Sequence, residues 1–173
     1  KITEYTGATF TTLVGTQTLP SKAIVYVNGD AYVKGEIKGR VSVVTSDDIF
    51  FDGSVKYEGA QSYVDSNHSA AFLAKNKVYF RPVSLEVSGI VYAEKTSTAS
   101  VPVDAGYSLS GQWNPSEKYN GHFRLFGNLI FKGQPNTSYY ATDRAYVYDS
   151  NLKYFRPPGI PVVPDLRTVR ETT

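Results

Sequence analysis

The stretch Val27-Asn28-Gly29-Asp30-Ala31-Tyr32-Val33-Lys34-Gly35-Glu36-Ile37-Lys38-Gly39-Arg40-Val41-Ser42-Val43-Val44 decides the fold. Its centre, Gly29 to Gly35, is a seven-residue cassette. A turn-tolerant residue opens it, a polar residue and three apolar ones follow, and a charge then precedes a corner glycine. The same plan returns at Asp47-Asp48-Ile49-Phe50-Phe51-Asp52-Gly53, at Asn76-Lys77-Val78-Tyr79-Phe80-Arg81-Pro82 and at Gly127-Asn128-Leu129-Ile130-Phe131-Lys132-Gly133. The closing residues Gly35 and Gly53 are 18 apart, and Gly53 and Pro82 are 29 apart, as though a loop interrupts the second interval.

An apolar run precedes each cassette: Ile24 to Val27, Val41 to Val44, Ala71 to Ala74 and Phe123 to Phe126. Ile90 to Ala93 reads as a fifth member whose following cassette has decayed into Glu94 to Ala99. Ile37, Val55 and Leu85 are placed to begin a third short strand. Strand, turn, strand, corner and strand at irregular intervals predict an all-β chain, a short parallel β-solenoid (β-helix) of about five irregular coils. Short strands with glycine-rich turns also fit an antiparallel sandwich or meander, the competing architecture. Helical periodicity is nearly absent.

One domain over residues 1–173 follows, with a lead-in over 1–20, coils over 21–133 and a packing tail over 134–173. Two polar inserts interrupt the coils, Lys56 to Ser69 and Glu94 to Gly121, and loops of that length are where binding is expected. The tail, rich in Tyr and Pro, is expected to pack along or cap the coils, and to end as an extended, polyproline-like segment.

Alternation along a strand sends cassette positions three and five inward: Ala31 and Val33, Ile49 and Phe51, Val78 and Phe80, Leu129 and Phe131. Position four then faces out, which places Tyr32, Phe50, Tyr79 and Ile130 in one external apolar file. Such a file is an interface or must be covered. The tail, a preceding segment, a neighbouring subunit or a stacked sugar could cover it. Tyr32, Phe50 and Tyr79, with Trp113 of the second insert and Tyr139 and Tyr140 of the tail, form the candidate interaction surface.

Composition excludes several classes. A net charge of +2 with no basic stripe gives nucleic acid no footprint. The absence of cysteine removes disulfides and thiolate metal sites. No window reaches membrane-spanning length, and Lys1 to Pro20 lacks the apolar centre of a signal peptide. The chain contains no methionine, which predicts that it starts inside a longer product.

The chemistry-bearing residues read best as structure. Asp47 and Asp48, with Asp30 and Asp52, could form a calcium or acid/base cluster, yet adjacent strand residues point apart and Asp at turns serves local hydrogen bonds. His68 and His122 lie in or beside the inserts and lack metal-ligand spacing. No nucleophile elbow or phosphate loop is present. Asp65-Ser66-Asn67 and Asp149-Ser150-Asn151 start like calcium loops without the Gly and distal Glu that complete one, and read as turns. Asn67-His68-Ser69 and Asn136-Thr137-Ser138 fit the glycosylation acceptor pattern, which matters only in a secretory host. No catalytic residue, cofactor or metal is assigned.

Val27 to Val44 resembles the β-solenoid domain of PilX-type, pilin-like proteins of bacterial type IV pilus systems, a domain also found in bacterial envelope proteins. Tyr148-Asp149-Ser150-Asn151-Leu152, followed by Pro157-Pro158 and Pro161, resembles that domain's Tyr- and Pro-rich end. The likeness spans about Ser21 to Pro164. It implies a non-catalytic structural or adhesive module, extracellular or exposed on the bacterial envelope. Its expected partners are other pilus or envelope proteins, and the membrane is reached only through an N-terminal apolar helix absent from this chain. The alternative expectation is a carbohydrate-binding or carbohydrate-active β-helix domain, with surface glycans as partner.

Overall fold

A computed structural model describes residues 2–6, 12–59, 67–81, 84–95, 122–132 and 143–161. Runs rich in Val, Ile, Phe and Tyr, cut short by Gly, Asn and Asp, make strands and corners. Strands β1 (Ile2–Thr6) and β2 (Thr12–Gln17) pair antiparallel as a hairpin within what reads as a lead-in. The remaining strands are β3 (Lys22–Val27), β4 (Ala31–Ile37), β5 (Arg40–Thr45), β6 (Ile49–Tyr57), β7 (Ser69–Ala74), β8 (Val78–Phe80), β9 (Leu85–Ala93), β10 (His122–Phe131) and β11 (Asp143–Val147). These nine form one sheet whose pairings are all parallel. The described part of the chain is therefore all-β, with one short 3₁₀ turn at Ser150–Lys153. The parallel pairing overturns the antiparallel alternative.

The sheet curls because the chain visits three ladders in turn. The first ladder stacks β3, β5, β7 and the second half of β9, with Val41 beside Ala70 and Ala71 beside Ile90. The second stacks the first parts of β4 and β6 under β8, with Tyr32, Phe50 and Tyr79 in register. The third runs through Gly35, Val55 and Val87, then Leu125 and Tyr146. Ile37, Val55 and Leu85 thus lie in a third set of strand segments, as their spacing suggested.

Inward side chains from the ladders meet in one core. Ile49, Phe51, Val78 and Phe80 are fully buried, Ala31 is buried, and Val33 and Leu129 pack on the core from its margin. Phe131's side chain lies outside what is described. Phe51, Phe80 and Phe123 carry aromatic packing across successive strands, at centroid distances of 5.3 Å and 5.0 Å, and Phe72 meets Phe51 edge-on at 5.1 Å. Each such ring stabilises the fold by roughly 1.5–3 kcal/mol through burial alone.

The fourth cassette does not stack on the other three. Gly127 to Phe131 lies beside Gly89 to Ala93, so Ile130 pairs with Tyr92 on the first ladder and leaves the file of Tyr32, Phe50 and Tyr79. The reason is that β9 and β10 pass from the third ladder to the first without a break in strand, bending at Gly89 and Gly127. Phe123 to Phe126, which looks like a first-ladder run, belongs to the third. At Gly127, φ is +143° and a Cβ would overlap the carbonyl oxygen of Gly89, so no other residue fits without movement.

After β11 the chain turns back over the outer face of the first ladder. Asp149 caps the 3₁₀ turn, accepting the Asn151 N–H at 2.9 Å. Leu152 and Ile160 close on Ala71, Leu73 and Ile90. Ser42 Oγ donates to the Pro158 carbonyl, and Gly159 sits against Ile24. Residues 149–160 therefore pack on the sheet through Leu152, Pro157 and Ile160, whereas the aromatics Tyr148 and Tyr154, expected to do the packing, stay exposed. Residues 162–173, where a polyproline-like end was expected, lie outside the described part.

Candidate interaction surface

On the second ladder, alternation leaves cassette position four outside, and in-register parallel pairing sets like residues one above another. Tyr32 and Phe50 stack at 4.8 Å with planes 9° apart, and Phe50 and Tyr79 at 4.7 Å and 5°. Tyr32 is 38% exposed, while Phe50 and Tyr79 are half-buried by their neighbours. Both faces of Phe50 are spent on the two tyrosines, which end the stack. Arg81 lies 6.0 Å from the Phe50 centroid and binds Asp52 at 2.8 Å, holding a cation at the margin of the file. Burial, then the nearby Asp30 carboxylate, pushes the Tyr32 phenol up.

The corner leading into this ladder is a ladder of capped amides. Asp30 Oδ1 accepts the Asp48 N–H at 3.2 Å, and Asp48 Oδ1 accepts the Lys77 N–H at 2.9 Å. Asp47 Oδ1 accepts from Asn76 Nδ2 at 3.0 Å. Ser46 Oγ accepts the Gly29 N–H and donates to Asn28 Oδ1. Each acid satisfies a donor of the next strand's turn, which accounts for Asp at these positions. The Asp30, Asp47 and Asp48 carboxylates come within 4.8 Å of one another. Asp48 is pushed up, first by burial and then by Asp47 and Asp30, while the Lys77 N–H pulls it down. Asp52 stands apart with Arg81.

Beside this face lie the roots of the second insert and of the segment that follows Phe131. The chain leaves the first ladder after Ala93 and after Phe131, and it returns to the third at His122 and Asp143. In both passages it skips the second ladder among the described residues. Lys95 N–H still bonds the Asn76 carbonyl, so the second insert departs from the corner above Asp47 and Asp48. Trp113, Tyr139 and Tyr140 fall outside the described residues, as do Asp65, Ser66 and the Asn136 acceptor pattern. The structure thus brings together Tyr32, Phe50 and Tyr79 of the six candidates.

The third ladder carries a feature the sequence did not announce. Its outer charges alternate from strand to strand: Glu36, Lys56, Glu86, Arg124, Asp143. Glu36 lies beside Lys56 and Glu86 beside Arg124 in register. Lys56 meets Glu86 at 2.6 Å and Arg124 meets Asp143 at 3.7 Å, with His122 Nε2 at 3.8 Å from Glu86. The hydrogen bond from Lys56 holds the Glu86 carboxyl below its ordinary value, against the opposing effect of burial. Glu86, Ser88, Arg124, Phe126, Asp143 and Val147 line a shallow groove there, of about 210 Å³. His68 is structural: its Nδ1 accepts the Gly39 N–H at 2.9 Å and fixes the corner before β5.

Among the described residues, no helix is long and apolar enough to cross a membrane. Comparison with protein-family models, with curated proteins and with solved structures finds no match.

Proposed function

We propose that the curled parallel sheet is a short solenoid of about five coils, serving as a non-catalytic structural or adhesive module that presents its inserts to a partner. One observation carries this reading: the chain leaves the first ladder after Ala93 and after Phe131 and rejoins the third at His122 and Asp143, on either side of the ladder that bears the Tyr32, Phe50 and Tyr79 file. The ladders form a rigid support, and binding segments on a rigid support are the usual division of labour. Each acid of the corner has a hydrogen-bonding task, which supports a structural use for them. Placement at the bacterial envelope or pilus, with envelope proteins as partners, rests on the resemblance of residues 27–44.

A sugar platform needs open ring faces, and Phe50 has none to spare. That favours a protein partner over a glycan. The test is a side-by-side assay of the intact chain on bacterial envelope fractions and on a polysaccharide panel, with and without calcium. Saturable retention of a protein component, reduced at least about tenfold by Tyr32→Ala with Tyr79→Ala, is expected; that is about 1.4 kcal/mol, within the range of an interface anchor. Release of reducing ends from any polysaccharide would overturn the proposal.

A further inference from the structure

Asp149 is a carboxylate closed off from solvent. It is 0% exposed, and among the described residues no Lys, Arg or His pairs with it. Its bonds come from neutral donors: Tyr57 Oη at 3.2 Å, the Asn151 N–H at 2.9 Å and the Asn151 side-chain amide. A buried carboxylate held only by neutral donors favours its protonated form when those donors replace the lost hydration of the charged one only in part.

This group sits where residues 149–160 begin to cross the sheet. Among the described residues, the contacts downstream that hold the segment are apolar or neutral: Leu152 and Ile160 on Ala71, Leu73 and Ile90, and Ser42 Oγ on the Pro158 carbonyl. We propose that residues 149–160 are a clasp over the first ladder whose seat is governed by the ionisation of Asp149, closed when the carboxyl is neutral and loosened when it is charged. An open clasp would bare Ala71, Leu73 and Ile90, an apolar strip on an outer sheet face.

The groups facing Asp149 leave it as the element that titrates. From β6 comes Tyr57, whose phenol is raised far above its usual range by burial and by the Asp149 charge, so it stays protonated. From β7, Ala70 offers only backbone, hydrogen-bonded to the Tyr57 hydroxyl. The clasp itself supplies Asn151, while Lys153 turns to the Tyr154 ring, 5.7 Å from its centroid. Burial raises the Asp149 carboxyl, offset in part by the bonds from Asn151 and Tyr57. The sign follows. Below the ordinary aspartate range both open and closed forms are protonated. As pH rises from there to the raised value, the open form ionises first and closure weakens. Above the raised value the difference is constant.

Amide hydrogen exchange on the intact chain between pH 4 and pH 8 reads this directly. The N–H groups of Leu152, Tyr154 and Phe155 all bond within the clasp. Their protection factors, corrected for intrinsic exchange, should fall by up to about tenfold per pH unit across that window and then level. Core amides of β5 and β7 should hold constant over the same range. Asp149→Asn, neutral at every pH, should flatten the profile. Tyr57→Phe removes one donor from the charged form and should lower clasp protection more above the window than below it. A flat wild-type profile, a slope that survives in Asp149→Asn, or core amides that fall in step with the clasp would each overturn the proposal.

Discussion

At the scale of single residues, two kinds of glycine can be told apart by what their missing Cβ would meet. Gly127 combines φ of +143° with overlap against the Gly89 carbonyl, whereas Gly59, at +68°, faces open space. Gly59→Ala should cost about 1 kcal/mol, for strained backbone alone, and Gly127→Ala more than about 3 kcal/mol, for strain plus a displaced strand. Urea titrations of the two variants compare them; equal costs would show that β9 and β10 are not in close contact at that bend. The cassette glycines were legible as corners from their place after a charged residue. Gly89 and Gly127 were not, because Gly89 only precedes an apolar run and Gly127 looks like the opening of another cassette. Asp149 was legible as a turn former from Asp149-Ser150-Asn151. Its burial was not, because burial comes from Tyr57, 92 positions earlier.

At the scale of elements, the alternation rule placed the core well. Ala31, Ile49, Phe51, Val78 and Phe80 are buried because three cassettes share one ladder and one phase. The rule misplaced Ile130 because phase within a cassette says nothing about which ladder the cassette joins. That difference can be measured. Phe50 is stacked on both faces, so Phe50→Ala should cost about 2–3 kcal/mol, counting half-burial and two ring pairs. Ile130, 47% exposed and outside the file, should cost less than about 1 kcal/mol on truncation to Ala. Thermal unfolding of the two variants decides it, and similar losses would count against the ring stack as a source of stability. The candidate surface was half legible. Tyr32, Phe50 and Tyr79 follow from strand phase, while Trp113, Tyr139 and Tyr140 lie where no repeat constrains the chain.

At the scale of the whole molecule, parallel in-register stacking has a cost: the same side of successive strands faces itself, and equal charges there would repel. The Glu36, Lys56, Glu86, Arg124 and Asp143 file answers this by alternation. Glu86→Lys would place three cations in a row and should lower stability by about 1–2 kcal/mol in dilute buffer, with much of the loss recovered in 0.5 M salt. Melting curves at the two salt concentrations test this; a loss indifferent to salt would point to packing instead. The pH sign is equally definite. Glu86 is held below its ordinary value, so its contribution is present above the ordinary glutamate range and fades as pH falls through the lowered value. That file was unreadable in the sequence because its members are separated by inserts of unequal length. It has one more property, seen in its offsets. Register sets Val55 beside Val87 and Arg124 beside Ala145, so the Lys56–Glu86 and Arg124–Asp143 pairs each reach back two residues along the neighbouring strand. Ion pairs that lean the same way across successive strands hold those strands against sliding, since a shift of one residue turns every partner to the opposite face.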